Sequence, residues 1–426
     1  MKNTKALATT LLIAMFCTCS LYAQQLNNQE KQIADLVDAN NAASVQLLER
    51  IVNTESPTEN LAGVRAVGSL IIPELKAMGF ETRWIQMPAE TKRAGHLVAE
   101  LKGSKGKRLL LLGHLDTVLR GEKFRREGDR GFGTGIGDMH GGNVIALSAL
   151  TALHAAGALT DRRIIVMFTG DEEDSCEPVS LCRGDMIEAA KRSDAVLSFE
   201  GTVRNTATVG RRGASSWTLT VEAKTGHSGQ IFSQSMGNGA IFEASRILDE
   251  FRRELSNIKY LTFNPALIAG GTTTSVSDSE GSASGKTNVV PAKVVVNGDL
   301  RFISEEQKQS ARAKIKEIVA RNLSGTTAMI KFFDGIPAMT PVEGNYELLR
   351  TLDRASQDLG LGPVEALDPG ERGAGDVAFV ADLLPALDGI GIGGGQNSHA
   401  RGESADLSTM PKLTKRAALL MYRLTR

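Results

Sequence analysis

Leu109-Leu110-Leu111-Leu112-Gly113-His114-Leu115-Asp116-Thr117-Val118 is the stretch whose reading decides the fold. A run of large aliphatics closed by glycine has the composition of a strand buried on both faces, as in parallel sheets. Polar residues follow at its C-terminal end, where open α/β sheets hold their ligands. His114 and Asp116 are two residues apart, so on extended chain both side chains point the same way. Such a pair suits a metal-bound imidazole held by a carboxylate, but a turn-capping aspartate beside a surface histidine has the same spelling. The stretch closes with Gly135-Ile136-Gly137-Asp138-Met139-His140-Gly141-Gly142-Asn143, where a glycine-framed turn offers Asp138 to the same place.

Two further apolar runs end in the same way. Residues 163–169 read as a buried strand that leads into Asp171-Glu172-Glu173-Asp174, four acids that repel one another unless a cation sits among them. Residues 195–199 form a third short run and deliver Glu200. Three apolar strands each ending in a zinc or hard-metal ligand say more together than any one motif. Helical apolar spacing over 29–53 and 61–78, strand alternation over 80–87 and 96–101, and a small-residue helix over 142–156 complete the pattern. Alternation of this kind predicts a doubly wound α/β domain.

Near Arg212 the texture changes. Residues 216–223, 293–303 and 328–333 read as strands, and 238–255 and 305–322 as amphipathic helices, which makes a small α+β insert. After Gly335 the first texture resumes, with a helix near 345–359, an apolar strand-like run through Ile392, Asn397-Ser398-His399 and a last helix over 411–424. The predicted fold class is therefore α/β, a doubly wound, mostly parallel sheet carrying an inserted α+β lid or dimerisation domain. Residues 24–211 and 335–426 would form the catalytic part and 212–334 the insert.

The chain has 426 residues, 42% of them hydrophobic, enough for two domains with real cores. With 49 basic against 49 acidic side chains there is no electrostatic reason to expect nucleic acid or an anionic membrane as partner. At 5% aromatics, a base-stacking surface is also not expected. Lys2 and Lys5, an apolar segment and Tyr22-Ala23-Gln24 read as a signal peptide over residues 1–23. The apolar part is too short for a stable membrane anchor, so a periplasmic or secreted protein is expected. Cys176 and Cys182 then remain, six apart in one predicted loop: disulfide partners in an oxidising compartment, or two unlinked thiols.

In order along the chain, His114-x-Asp116, Gly-x-Gly-x-x-Asp138-Met139-x-Gly-Gly, Asp171-Glu172-Glu173, Glu200 and Ser398-His399 resemble the co-catalytic zinc peptidase family. That family includes bacterial glutamate carboxypeptidases, acetylornithine deacetylase, succinyl-diaminopimelate desuccinylase and aminoacylases. The likeness to the glutamate carboxypeptidase branch is strongest, through Val196-Leu197-Ser198-Phe199-Glu200 and Arg372-Gly373-Ala374-Gly375-Asp376-Val377. The resemblance implies that Asp138 bridges two Zn2+ ions, with Co2+ or Mn2+ as possible substitutes. His114 and Glu200 would complete one metal site, Glu173 and His399 the other. Asp116 would orient His114, and Glu172 would be the general base. In the insert, His227 of Gly226-His227-Ser228-Gly229 matches a histidine that stabilises the oxyanion, often across a homodimer. Asn288 and Arg301 match residues that hold the substrate's carboxylate end.

Two departures from the family pattern leave the ligands in place: His140 stands where lysine is common, and Gly201 where proline is usual after the glutamate. His140 is read as lying beside the ligands or at the surface in preference to being an extra ligand, His96 and His154 as structural, and Asp376 as organising its own loop in preference to ligating a metal. The expected activity is zinc-dependent cleavage of an amide next to a free carboxylate, glutamate carboxypeptidase-like, on a small peptide or N-acyl amino acid. The metal set alone does not separate this from an N-acyl amino acid deacylase or a dipeptidase. A non-catalytic metal-binding scaffold is a third reading, and the presence of Glu172 and His227 beside a full ligand set counts against it.

Overall fold

The computed structural model describes residues 26–426 apart from Asp278. The predicted signal peptide lies outside the described residues. The first half runs α1 (Asn28–Val52), α2 (Leu61–Ala77), β1 (Glu81–Ile85), β2 (His96–Leu101), β3 (Lys105–His114), β4 (Arg125–Glu127), β5 (Arg130–Phe132), α3 (Gly141–Ala155), β6 (Arg162–Thr169), α4 (Val179–Lys191), β7 (Ala195–Ser198) and β8 (Thr206–Ala207). The middle holds β9 (Gly213–Ala223), α5 (Ala240–Leu255), β10 (Thr262–Gly271), β11 (Thr273–Val276), β12 (Gly281–Ser284), β13 (Lys293–Phe302), α6 (Glu305–Ala320) and β14 (Thr326–Asp334). The last part adds α7 (Glu343–Asp358), β15 (Glu365–Ala366), β16 (Ala386–Leu387), β17 (Ser404–Asp406) and α8 (Thr409–Thr425).

The main sheet has the order β1-β2-β6-β3-β7-β16. The pairings of β6, β3, β7 and β16 are parallel, and β2 and β1 extend one edge in antiparallel fashion. The leucine run of β3 explains why the sheet is covered on both sides. Leu109 and Leu111 join one core with Ile33 of α1, Val144 of α3 and Leu420 of α8. Leu110 and Leu112 point the other way, into a core with Met186 and Ala190 of α4 and with Val377 and Val380. Register then sets the site: His114 is opposite Thr169 of β6, and Leu112 is opposite Ser198 of β7. The three strands therefore stop together and release their polar followers at one edge.

Local signals fix the helix ends. Asn27 caps α1 by accepting the Glu30 N–H, while the Glu30 carboxylate accepts the Asn27 N–H, a reciprocal pair that satisfies two end donors. Ser304 caps α6 through the Gln307 N–H. Gly142 brings the start of α3 against β7, because a Cβ there would fall 1.8 Å from the Phe199 carbonyl oxygen.

The second sheet has the order β10-β13-β9-β14, all antiparallel. One face of β9 (Trp217, Leu219, Val221) is buried under Ile247 and Phe251 of α5 and Ile315 and Ile318 of α6. The alternate residues of β9 face away and are not buried, the one-sided pattern expected of an antiparallel layer. The chain enters at Gly213 and leaves at Asp334, which pairs with Ser215, so both crossings lie at one end. The loop with His227 and the β11–β12 hairpin lie at the other.

Four readings need correction. The Cys176–Cys182 segment is not one loop: Cys182 lies inside α4, an element the sequence hid behind Pro178 and Gly184. The insert's main sheet has a fourth strand, β10, whose alternation is broken at the register shift between Pro265 and Leu267, and the β11–β12 hairpin follows it. Of the apolar run ending at Ile392, only Ala386–Leu387 forms a strand. His154 is exposed in the last turn of α3, where a basic side chain faces the negative end of the helix, and is not part of a core.

Candidate active site

His114 ends β3, is buried, and turns Nε2 toward two carboxylates: Asp138 Oδ1 at 3.2 Å and Glu200 Oε1 at 3.7 Å. His399 turns its Nε2 toward Asp138 Oδ2 at 3.1 Å and Glu173 Oε2 at 3.2 Å. Asp138 thus gives one oxygen to each histidine. Two triads result, His114–Asp138–Glu200 and Asp138–Glu173–His399, the donor atoms of each within 4.8 Å of one another. Glu172 stands in a third such group with His114 and Glu173.

Backbone geometry carries these side chains. Gly135, at φ 77°, turns the chain ahead of Asp138, and the Asp138–Met139 peptide is cis. His399 has φ 64° and Asn397 φ 57°, left-handed conformations uncommon outside glycine. Glu403 joins the two loops: its carboxylate accepts N–H groups from Gly135 at 2.7 Å, Gly137 at 2.8 Å and Asp138 at 3.0 Å. Nothing in the motif spelling singled out Glu403; its place four residues past His399 was the available signal.

Asp116 works in two directions. His114 Nδ1 is 3.0 Å from the Asp116 carbonyl oxygen and 3.5 Å from its carboxylate, so the backbone oxygen makes the shorter contact with the imidazole. The carboxylate itself accepts from Thr58 Oγ1 at 2.7 Å and from the N–H groups of Glu172 and Glu173, each at 3.1 Å. It therefore holds the turn that presents both glutamates.

Electrostatics follow from burial among like charges. Burial pushes the Glu200 carboxyl up to about 7, and the Asp138 carboxylate adds to it. Burial likewise raises Glu172 well above the usual range, with Asp376, Glu200 and Glu173 contributing repulsion. Burial alone would lower His114, but hydrogen bonds to Asp116 and Asp138 outweigh it and raise the imidazole well above its ordinary value. Contacts with Asp138 and Glu173 carry His399 to about 10. A buried set of two imidazoles and several acids relieves this repulsion best by taking up cations. Imidazole nitrogen and carboxylate oxygen are ordinary zinc donors, and the shared carboxylate gives room for two ions. The residues fit the metal pair that the sequence pattern implies.

The other named residues divide. His140 is buried beside the cluster, with Nε2 3.4 Å from Ser56 Oγ, and belongs to neither triad. Burial, with the His114 charge adding, lowers it to about 3, so its imidazole is neutral. Asp376 bonds Thr169 and Arg183 and is outside both triads. His96 is fully buried, its Nε2 2.8 Å from the Cys182 carbonyl oxygen. His227 and Asn288 are exposed and adjacent: the Ser228 N–H donates to the Asn288 carbonyl at 2.9 Å, and His227 bridges Val289. Among the described residues neither makes a hydrogen bond to the two triads. Arg301 lies at the other end of β13, with Nε 2.8 Å from Asp299 Oδ2.

A family profile described as peptidase family M20/M25/M40 matches residues 110–423, most of the chain and the whole ligand set. The chain belongs to that family. Among curated members, carboxypeptidase G2 of Pseudomonas sp. (strain RS-16) is 29% identical over 396 residues, covering 89% of this chain and 88% of that protein. Succinyl-diaminopimelate desuccinylase of Cupriavidus necator is 26% identical over 370 residues, covering 81% and 90%. Aminopeptidase PepT from Bacillus cereus shares the fold at a TM-score of 0.72 and 17% identity, covering 91% of this chain and 99% of that one. The M20 metallo-carboxypeptidase Sso-CP2 from Sulfolobus solfataricus shares it at 0.61 and 15%, covering 89% and 98%. Members of the M20/M25/M40 family are metal-dependent, typically on zinc. This chain is accordingly a metal-dependent hydrolase acting on amide bonds.

Proposed function

We propose that the protein is a di-zinc carboxypeptidase of the glutamate type, exported from the cytoplasm, which hydrolyses an amide next to a free carboxylate. The observation that carries this reading is the pair of triads sharing Asp138, with Glu172 standing beside them. His114, Asp138 and Glu200 would hold one ion, and Asp138, Glu173 and His399 the other. Bound there, the ions supply Lewis-acid polarisation of the scissile carbonyl and of the attacking water.

The chain's own groups do the rest. Glu172, standing beside both triads without belonging to either, accepts the water's proton and returns it to the leaving nitrogen. Asp116 orients His114 and steadies Glu172 from behind. Arg301 uses Nε toward Asp299 and keeps the rest of its planar fork for a substrate carboxylate. His227 and Asn288 would meet the developing oxyanion and the substrate's carboxylate end.

Support for the branch comes from carboxypeptidase G2 and from the Val196–Glu200 and Arg372–Val377 sequences. Support for export comes from the Cys176–Cys182 disulfide, a bond that persists in oxidising compartments. The homodimer reading rests on the insert. Phe232, Ile241, Phe242 and Ile268 are exposed there, around the start of α5 and the edge strand β10, an apolar surface suited to a second copy. The desuccinylase likeness favours a second reading, removal of an N-acyl group from an amino acid on the same site.

The test is an assay of the purified protein, chelated and then resupplied with zinc, on C-terminal glutamyl peptides and folates, N-acyl amino acids and free dipeptides. Chelator-sensitive release of C-terminal glutamate, with two zinc ions per chain, is the expected result. Turnover of N-acyl amino acids alone would transfer the protein to the second reading. Full metal loading with no turnover on any of them would remove the proposed activity.

A further inference from the structure

The turn after β6 is enclosed by a ring of contacts that the ligand set does not account for. Arg183 of α4 is 1% exposed. Its Nη1 donates to Asp171 Oδ1 at 2.7 Å, and its Nη2 to the Asp171 carbonyl and to Ser175 Oγ, both at 3.1 Å. Its Nε donates to Asp376 Oδ1 at 2.7 Å, and Asp376 Oδ2 accepts from Thr169 Oγ1 at 2.7 Å. One guanidinium thus holds the residue before Glu172, the end of that turn and, through Asp376, the last residue of β6.

The disulfide closes the ring. Cys176 ends the turn, donates its N–H to Asp171 Oδ2 at 3.3 Å, and is bonded to Cys182, the residue just before Arg183. The Cys182 carbonyl is 2.8 Å from His96 Nε2, and His96 Nδ1 accepts the Gly170 N–H at 3.2 Å. The turn is therefore held from outside at Gly170, Asp171, Ser175 and Cys176. From inside, among the described residues, it is held by Asp116, through the Glu172 and Glu173 N–H groups, and by the contact of His399 with Glu173.

We propose that Arg183 is a positioning residue for Glu172 and Glu173, and that the Cys176–Cys182 disulfide keeps its helix in the place this requires. The physical reason is repulsion. A turn that carries two acids into a cluster already holding Asp138 and Glu200 is pushed outward, and fixed anchors behind it oppose that motion. The fork of Arg183 reaches acceptors on two chain segments at once, which the point charge of lysine does not. The disulfide acts on the same element because it joins the turn's outgoing end to the helical residue adjoining Arg183.

This inference rests on the roles proposed for Glu172 and Glu173, and its test separates the two. Zinc binding by calorimetric titration, kcat and KM are measured for the wild type, Cys176→Ser/Cys182→Ser, Arg183→Lys and Arg183→Gln. The removal of groups that orient metal ligands costs about 10–100-fold in affinity or activity. The expected result is a loss of that size in affinity for one of the two zinc ions, the one served by Glu173, with the other nearly unchanged. kcat falls by a similar factor while KM stays within about twofold, and Arg183→Lys lies between Arg183→Gln and wild type. A lowered melting temperature with unchanged zinc isotherm and kcat would reduce both features to fold stabilisers and overturn the inference. Should Arg183→Gln fail to fold, the double cysteine variant, which leaves every charge in place, decides. A wild type that binds two zinc ions but cleaves no amide defeats the proposed activity, and the zinc isotherms still decide this inference. A wild type that binds no zinc defeats both.

Discussion

Glu403 accepts the backbone N–H of Asp138 at 3.0 Å, although 265 residues separate them. The same Oε1 takes the Gly137 N–H and Oε2 takes that of Gly135, so one carboxylate ties the His399 loop to the Asp138 loop. Glu403→Ala leaves three donors without an acceptor in a site where Glu403 itself is buried. Each stranded buried donor costs about 1–3 kcal/mol. Thermal unfolding should show a loss of at least about 2 kcal/mol, and elemental analysis should show less than the full zinc complement. Glu403→Gln recovers part of this, because its amide keeps one oxygen but turns an N–H toward a backbone N–H. Wild-type stability and metal content in Glu403→Ala would show that the two loops are held by other means.

Glu172 groups with His114 and Glu173 yet belongs to neither Asp138 triad, while its N–H hangs on Asp116. Glu172→Ala should leave two zinc ions bound and lower kcat by about 10²–10⁴-fold, the usual contribution of a general base. Metal counting and steady-state kinetics on the same sample check this. Unchanged kcat would remove Glu172 from the proton path, and loss of zinc would make it a ligand.

The fold was legible in the sequence because its decisive signals are local. The leucines of β3 and the capping residues of α1 announce their elements without help from distant chain. The spelling of His114, Asp138, Asp171-Glu172-Glu173, Glu200 and His399 also anticipated which side chains the folded chain gathers. What stayed hidden depends on contacts across long separations. Arg183 carries no signal in the sequence, because α4 itself went unread and the arginine's partners appear only once that helix is packed on Asp171 and Asp376. The double service of Asp116 is invisible, because the N–H groups it accepts lie 56 and 57 residues further on. The hairpin of β4 and β5 and the edge strand β10 were missed because three-residue strands and a bulged, proline-bearing strand lack the alternation that marks longer ones.

Glu30 offers a pH-dependent test of the fold away from the metals. Its carboxylate accepts from Arg423 Nε at 2.8 Å and from the Asn27 N–H at 3.0 Å, joining the start of α1 to the end of α8. Burial alone would raise the carboxyl, yet the bonds to Arg423 and Asn27 outweigh it and hold Glu30 below its ordinary value. A carboxyl lowered by folding stabilises above its unfolded pKa of 4.5, and that contribution is lost as pH falls through the folded value. Glu30→Gln should therefore cost about 1.5–3 kcal/mol at pH 7, the range for hydrogen bonds to charged groups. The gap between variant and wild type should narrow once pH drops below 4.5. Denaturant titrations at a series of pH values check it, and a gap independent of pH would mean that packing alone sets the effect.

Arg301 and His227 lie at opposite ends of the insert, and this bears on how a complete site is assembled. Arg301 pairs with Ala214 next to the chain crossing, whereas His227 and Asn288 lie beyond Lys293 at the far tip. The eight residue steps from Lys293 to Arg301 span ~26 Å at about 3.3 Å per residue. A rigid insert cannot bring both ends to one metal pair within its own chain. If all three residues serve one substrate, Arg301 comes from the chain that binds the metals and His227 and Asn288 from a second copy. Two inactive proteins, His227→Ala and Glu172→Ala, should then regain activity when mixed, because the mixed dimer holds one site with both residues intact. With random pairing half the dimers are mixed, each with one intact site of two, so activity should approach about a quarter of wild type. Activity that stays at the level of the separate variants, under conditions where subunits demonstrably exchange, would mean that the insert bends to serve its own chain.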